Sequence, residues 1–223
     1  MSDFFFNPHQ HATVAAAMAR IIPTDDTPGA TEADTITFLD RYLSGTDHVY
    51  AKPDGSGFET LTGKRRDAWQ TRINIVRECY VNGIDRLDAV SNERHGVNFI
   101  SLSNEQQDAV LTVMESPKSV EQNEESQRLA LYGAPVEPAL QQSSAEIDLG
   151  FMDLLVLHTR QGFYADPVYG GNKHRIGWEV IGFPGPESLD ESHKGRFCTL
   201  PWFAKDLAHS NGNPADDSSG GQT

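Results

Sequence analysis

Apolar positions recur at helical spacing in several stretches of the chain, and each stretch carries its own start or stop signal. Val14, Met18 and Ile21 share one face. Ahead of them, Asn7, Pro8 and Gln10 stand as cap, first-turn proline and returning side chain of a capping box. Pro23 ends this helix, and 24–30 (TDDTPGA) reads as a turn-rich loop. Thr31 followed by Asp34 predicts the start of a second helix. Ile36, Leu39 and Leu43 form its inner stripe and Gly45 its end. The Gly-rich stretch 51–63 reads as a loop or short hairpin. A long helix is predicted over 65–90, with Trp69, Ile73, Val76, Tyr80 and Leu87 on one face and Gly83 as a candidate bend. Ser103 and Gln106 then open a helix over 103–115. The segments 6–18 and 102–114 match at cap, Gln, Val and Met positions, and shared helix-start chemistry accounts for the echo.

The pattern breaks over 116–142, a polar Glu/Gln-rich stretch with Pro117, Pro135 and Pro138, which reads as a linker-like excursion. Ser143 with Glu146 then resembles a capping box before the most apolar segment, 147–159 (IDLGFMDLLVLHT), expected to be the central helix of the core. The loop 162–172 (GFYADPVYGGN) and a short apolar stretch, 178–183 (WEVIGF), follow. The expected fold is mainly α: one helical domain over 1–205, of about five helices with long structured loops, and a disordered tail over 206–223. No βαβ alternation appears and no Gly-rich loop follows a strand, so neither a Rossmann nor a P-loop site is expected.

Charge narrows the partners. With 32 acidic against 18 basic residues, the formal net charge is -14. That balance argues against sequence-independent binding to nucleic acid, which needs Lys and Arg to neutralise phosphates, and against docking on an anionic membrane. Lys64, Arg65 and Arg66 read as an exposed helix start. Cys79 and Cys198 form no metal-ligand or CxxC spacing, and buried thiols are the expectation, with a disulfide left open. No run of about 18 apolar residues exists to insert in a membrane. The N-terminal stretch lacks a basic n-region and a twin-arginine pair, so a cytoplasmic location is expected, or a periplasmic one if the chain is a processed form.

Candidate chemistry is sparse. The eight histidines include no HExxH pair, and GxSxG is absent. His158 has two readings. It is a core or helix-end histidine bonded to a loop carbonyl, or it converges with Asp166, Asn172 and His174 on a divalent ion. The second reading makes the chain a stand-alone metal-dependent enzyme or binding domain built on the His158, Asp166 and His174 region. The loop 162–172 is the most informative segment. Asp166-Pro167 sets a turn, Gly170-Gly171 permits unusual backbone conformations, and Phe163, Tyr164 and Tyr169 crowd three aromatics into seven positions. Those rings either cap their own core or anchor a partner.

Three blocks carry a resemblance: 19–43 (ARIIPTDDTPGATEADTITFLDRYL), the helix around Trp69, and above all 158–186, in which ADPVYGGN is followed by GW and IGFPG. In these the chain resembles the gluconate 2-dehydrogenase subunit 3 family, the small subunits of bacterial flavin-dependent sugar and sugar-acid dehydrogenases. The resemblance implies a non-catalytic chain holding no flavin or haem of its own, and no metal is expected from its histidine spacing. It would support the folding and stability of a large FAD-containing subunit of the glucose-methanol-choline type, in a heterodimer or with a cytochrome c as electron acceptor. It also implies that Phe163, Tyr164, Asp166, Tyr169, Gly170, Gly171, Asn172 and Trp178 shape or support the docking surface. The missing twin-arginine leader departs from the family pattern and leaves the export role open. A free-standing binding or scaffold domain is the remaining alternative.

Overall fold

The computed structural model describes residues 4–115, 146–186 and 191. Among them are six α-helices: α1 Pro8–Ile21, α2 Thr35–Ser44, α3 Gly63–His95, α4 Asn104–Met114, α5 Phe151–Tyr164 and α6 Ile176–Val180. Short 3-10 turns lie at Thr46–His48, Phe99–Ser101, Pro167–Tyr169 and Lys173–Arg175. The main body holds the described residues up to Ala51 and from Phe58 to Phe183, while Lys52–Gly57 and the residues from Pro184 fall in a second unit. Within that second unit, Lys52–Gly57 is a turn closed by the Lys52 N–H donating to the Gly57 carbonyl at 2.8 Å.

Both predicted capping boxes form. The Asn7 side chain accepts from the Gln10 N–H at 2.9 Å and the Gln10 side chain accepts from the Asn7 N–H at 3.1 Å. Ser103 and Gln106 repeat the pattern on α4. The helix α2 starts later than its sequence suggests. Residues 30–34 form a turn, and Asp34 adopts a left-handed conformation, φ 52°, before Thr35 begins the helix. Tight turning between Gly29 and Thr35, held by the Thr35 N–H donating to the Ala30 carbonyl at 3.0 Å, takes the residues that read as a first helical turn.

The helix α5 packs against α1, α2 and α3 and is central, as expected. Its start differs. Residues 146–148 form a separate turn, the helix begins at Phe151 after Gly150, and it runs on through Tyr164. Glu146 is therefore no helix cap, and its proposed cap partner Ser143 lies outside the described residues, as do the predicted excursion at 116–142 and the tail from 206. The helix is not apolar all round either: Met152, Leu155, His158, Thr159, Gly162 and Phe163 are buried, while Val156, Arg160 and Gln161 face out.

Tyr80 on α3 sits at the centre of the core, fully buried, with edge-on contacts to the Phe6 and Phe151 rings at 5.9 and 5.6 Å. Gly83 works by its size. A Cβ there would lie 2.0 Å from the Phe151 ring, so the glycine lets α5 approach α3 closely, and α3 continues through it to His95. Buried Asp40 on α2 accepts the Phe5 and Phe6 N–H groups at 2.6 and 2.9 Å, which fixes the chain ahead of α1. Arg20 and Asp108 pair through two 2.8 Å bonds and tie α1 to α4. Cys79 is a half-buried thiol whose pKa is raised by burial.

Candidate functional site

A buried carboxylate organises the space between α2, α3 and α5. Both Glu146 oxygens accept the Tyr42 hydroxyl, at 2.9 and 3.1 Å, and Oε1 also accepts from His158 Nε2 at 2.9 Å. The Arg72 guanidinium pairs with Oε2. On its far side, His158 Nδ1 meets the Tyr80 hydroxyl at 3.0 Å. Burial works against the charge of Glu146, but the hydrogen bond and charge of His158, the Tyr42 hydroxyl and the Arg72 charge outweigh it and hold the carboxyl below the usual glutamate range. Burial, and after it the Glu146 charge, pushes the Tyr42 hydroxyl far above its ordinary value, so it stays a donor. Because an ionised carboxylate only accepts, His158 Nε2 carries the proton of that bond.

The loop after α5 is built by internal bonds. The Asn172 side chain donates to the Ala165 carbonyl and accepts the Gly177 N–H, both at 2.8 Å. The Asn172 N–H donates to the Gly162 carbonyl at 2.8 Å, and the Lys173 N–H to the Ala33 carbonyl at 2.9 Å. Trp178 Nε1 donates to the Tyr164 carbonyl at 2.7 Å. Asp166 caps the next turn by accepting the Val168 N–H at 3.0 Å. Gly171 has φ +68°, and a Cβ there would lie 2.3 Å from the Gly162 oxygen, so both conformation and space demand glycine. Asn172, His174 and Arg175 also have positive φ, which concentrates backbone strain in these three residues.

Above the carboxylate lies an open cavity of about 580 Å³. Phe38, Tyr42, Trp69, Tyr164 and Tyr169 supply its rings, and Arg72, Glu146 and Gln161 its main polar groups. The Trp69 ring stands edge-on to Tyr42 at 6.5 Å and to Tyr50 at 5.7 Å, with the Arg72 guanidinium 5.0 Å from its centre.

The family model for gluconate 2-dehydrogenase subunit 3 matches residues 8–185. The chain belongs to that family. No curated protein and no solved structure matches the chain.

In this gluconate 2-dehydrogenase subunit 3 chain, the residues singled out from sequence divide into two groups. Phe163, Gly170, Gly171, Asn172 and Trp178 are buried and hold the loop against α2 and α5. Tyr164, 40% exposed, and the partly buried Asp166 and Tyr169 reach the surface, and the two tyrosines line the cavity. The metal-site alternative is corrected. His158 is a core histidine, as one reading expected, but its partners are side chains rather than a loop carbonyl, and it is not a ligand shared with Asp166 and His174. Both its nitrogens are taken by Glu146 and Tyr80 in the core, Asp166 caps its own turn, and His174 is exposed. Among the described residues no group of three His, Cys, Asp or Glu gathers that could hold an ion. Sequence reasoning missed Glu146, Tyr42 and Arg72. Arg72 lies three residues after Trp69, on the same helix face, and that spacing was the one available signal.

Proposed function

We propose that the chain is the non-catalytic small subunit of a flavin-dependent sugar, sugar-acid or glucoside dehydrogenase. Its role is to support the folding and stability of a large flavoprotein subunit of the glucose-methanol-choline type. The observation that supports this most is the match, over residues 8–185, to a family described as a dehydrogenase subunit. The site chemistry agrees with it. The carboxylate of Glu146 is held below the usual range by hydrogen bonds from His158 and Tyr42 and the Arg72 charge, whereas a general base is tuned toward neutral pH. In this reading FAD sits in the large subunit, which oxidises the sugar, and a cytochrome c or another acceptor takes the electrons. The docking surface centres on the loop after α5, with Tyr164, Asp166 and Tyr169 outward and the buried loop residues fixing their positions.

Co-expression with the neighbouring flavoprotein gene tests this. The expected result is a stable heterodimer in which all flavin stays with the large chain when the two are separated. A purified small chain that binds flavin and oxidises sugars by itself would sink the proposal.

A further inference from the structure

The cavity above Glu146, of about 580 Å³, has aromatic walls, a floor whose acceptors are already used and a rim that supplies donors. At the floor both Glu146 oxygens are occupied, Oε1 by His158 Nε2 and the Tyr42 hydroxyl and Oε2 by Arg72. The carbonyls of Tyr164 and Ala165, at the end of α5, already accept Trp178 Nε1 and the Asn172 side chain. Donors remain at the rim. Among the described residues, the Tyr164 hydroxyl and the Gln161 side chain are bonded to no other group. The Tyr169 hydroxyl accepts the Ala51 N–H at 3.3 Å, which leaves its own proton to give. Because Arg72 and Glu146 pair, an ionised occupant would lose its hydration at the floor without gaining a counter-ion.

These properties select the chemistry of the occupant. The rings of Phe38, Tyr42, Trp69, Tyr164 and Tyr169 favour a flat apolar body. The donor-bearing rim over an occupied floor favours acceptors that bring no donors with them. An ordinary peptide brings an N–H with each carbonyl, and a sugar brings a proton on each hydroxyl. Proline brings an apolar ring and a carbonyl with no N–H. A proline-rich strand is also stiff before it binds and presents its carbonyls outward, the features that aromatic-lined grooves recognise. Being neutral, it meets no repulsion from a chain of net charge -14.

We propose that the cavity receives a proline-rich segment of the large flavoprotein subunit. Its rings lie against Trp69 and the tyrosines, and its carbonyls accept from Gln161, Tyr164 and Tyr169. Tyr164 and Tyr169 belong both to the cavity and to the loop that docks the partner, so the occupant arrives with that partner. The choice of partner rests on the accessory-subunit reading, whereas the proline chemistry rests on the cavity alone.

Calorimetric titration of the full chain with an acetylated, amidated hexaproline tests the chemistry, with an alternating Gly-Ser hexapeptide and glucose as contrasts. The account expects hexaproline to bind at least ~10-fold more tightly than either contrast, since both lack the proline ring and carry donors that the floor does not accept. Tyr164→Phe removes a rim donor at an exposed position, keeps the ring and weakens binding by about 3- to 10-fold. Trp69→Leu weakens it while the helical circular dichroism spectrum is kept. No hexaproline binding up to roughly 10 mM overturns the proposal. So does equal or tighter binding of either contrast, or binding that both variants leave unchanged. Two further titrations decide the occupant. In the heterodimer hexaproline binding is expected to be lost, because the large subunit fills the cavity, and retained binding overturns the assignment to the partner. Pro135→Ala with Pro138→Ala, in the chain's own Pro-x-x-Pro stretch, is expected to leave the affinity unchanged. A large gain in affinity would mean that this chain fills its own cavity, which also overturns the assignment. If no heterodimer forms, the accessory-subunit reading fails and the choice of partner with it, while the titration of the chain alone still decides the proline chemistry.

Discussion

Glu146 shows how a single side chain can be misread locally and still be central. The S-x-x-E spacing before an apolar run is a sound capping signature, and nothing nearby in sequence contradicts it. Its real partners are Tyr42, 104 positions away, Arg72 on α3, and His158, 12 positions on. Such long-range polar contacts leave no periodic trace, which is why the cluster could not be read. Removing the charge while keeping the shape is informative. Glu146→Gln leaves Arg72 without its counter-ion in a largely buried setting and is expected to cost about 2–4 kcal/mol at neutral pH, measured by urea unfolding. The pH dependence has a definite sign. The folded-state pKa of Glu146 is depressed, so its contribution is full above the ordinary glutamate value of about 4.3 and disappears as the pH falls through the lower folded value. The stability gap between wild type and Glu146→Gln should therefore close in acid. A gap that stays constant down to the acid transition would contradict the ion-pair account.

At the scale of elements, the legible helices are those whose ends are written locally. The α1 and α4 boundaries follow from Asn7 with Gln10 and Ser103 with Gln106, because a capping box involves four consecutive residues. Asn7→Ala is expected to destabilise the chain by about 1 kcal/mol, read as a lower midpoint in thermal or urea unfolding. The α2 and α5 starts were displaced because tertiary packing and the turn at 30–34 overrode the local signal. The loop 162–172 was recognisable as unusual from its glycines and aromatics. Its internal wiring through Asn172 was not, since a buried asparagine and a surface asparagine look alike in sequence. Gly171→Ala tests that wiring. The new methyl meets the Gly162 carbonyl at a positive φ, and a loss of about 2–4 kcal/mol is expected, whereas a neutral effect would show that the loop relaxes freely.

For the whole molecule, the mainly α class was legible because helical periodicity is strong across 8–114, and the match over residues 8–185 places the chain among the gluconate 2-dehydrogenase subunit 3 proteins. No helix of the described residues is long and apolar enough to cross a membrane. Partner choice is a property of a surface, and neither periodicity nor spacing encodes it. The net charge of -14 favours a partner with complementary basic groups, so complex formation should slow as salt is raised. The central claim is that this chain stabilises a separate flavoprotein. It is tested most directly by measuring the amount of flavin-loaded large subunit recovered with and without co-expression of this chain. The account predicts a several-fold fall when the small chain is omitted, with the remaining large chain low in flavin. Equal recovery of fully loaded, active large subunit in its absence would contradict it.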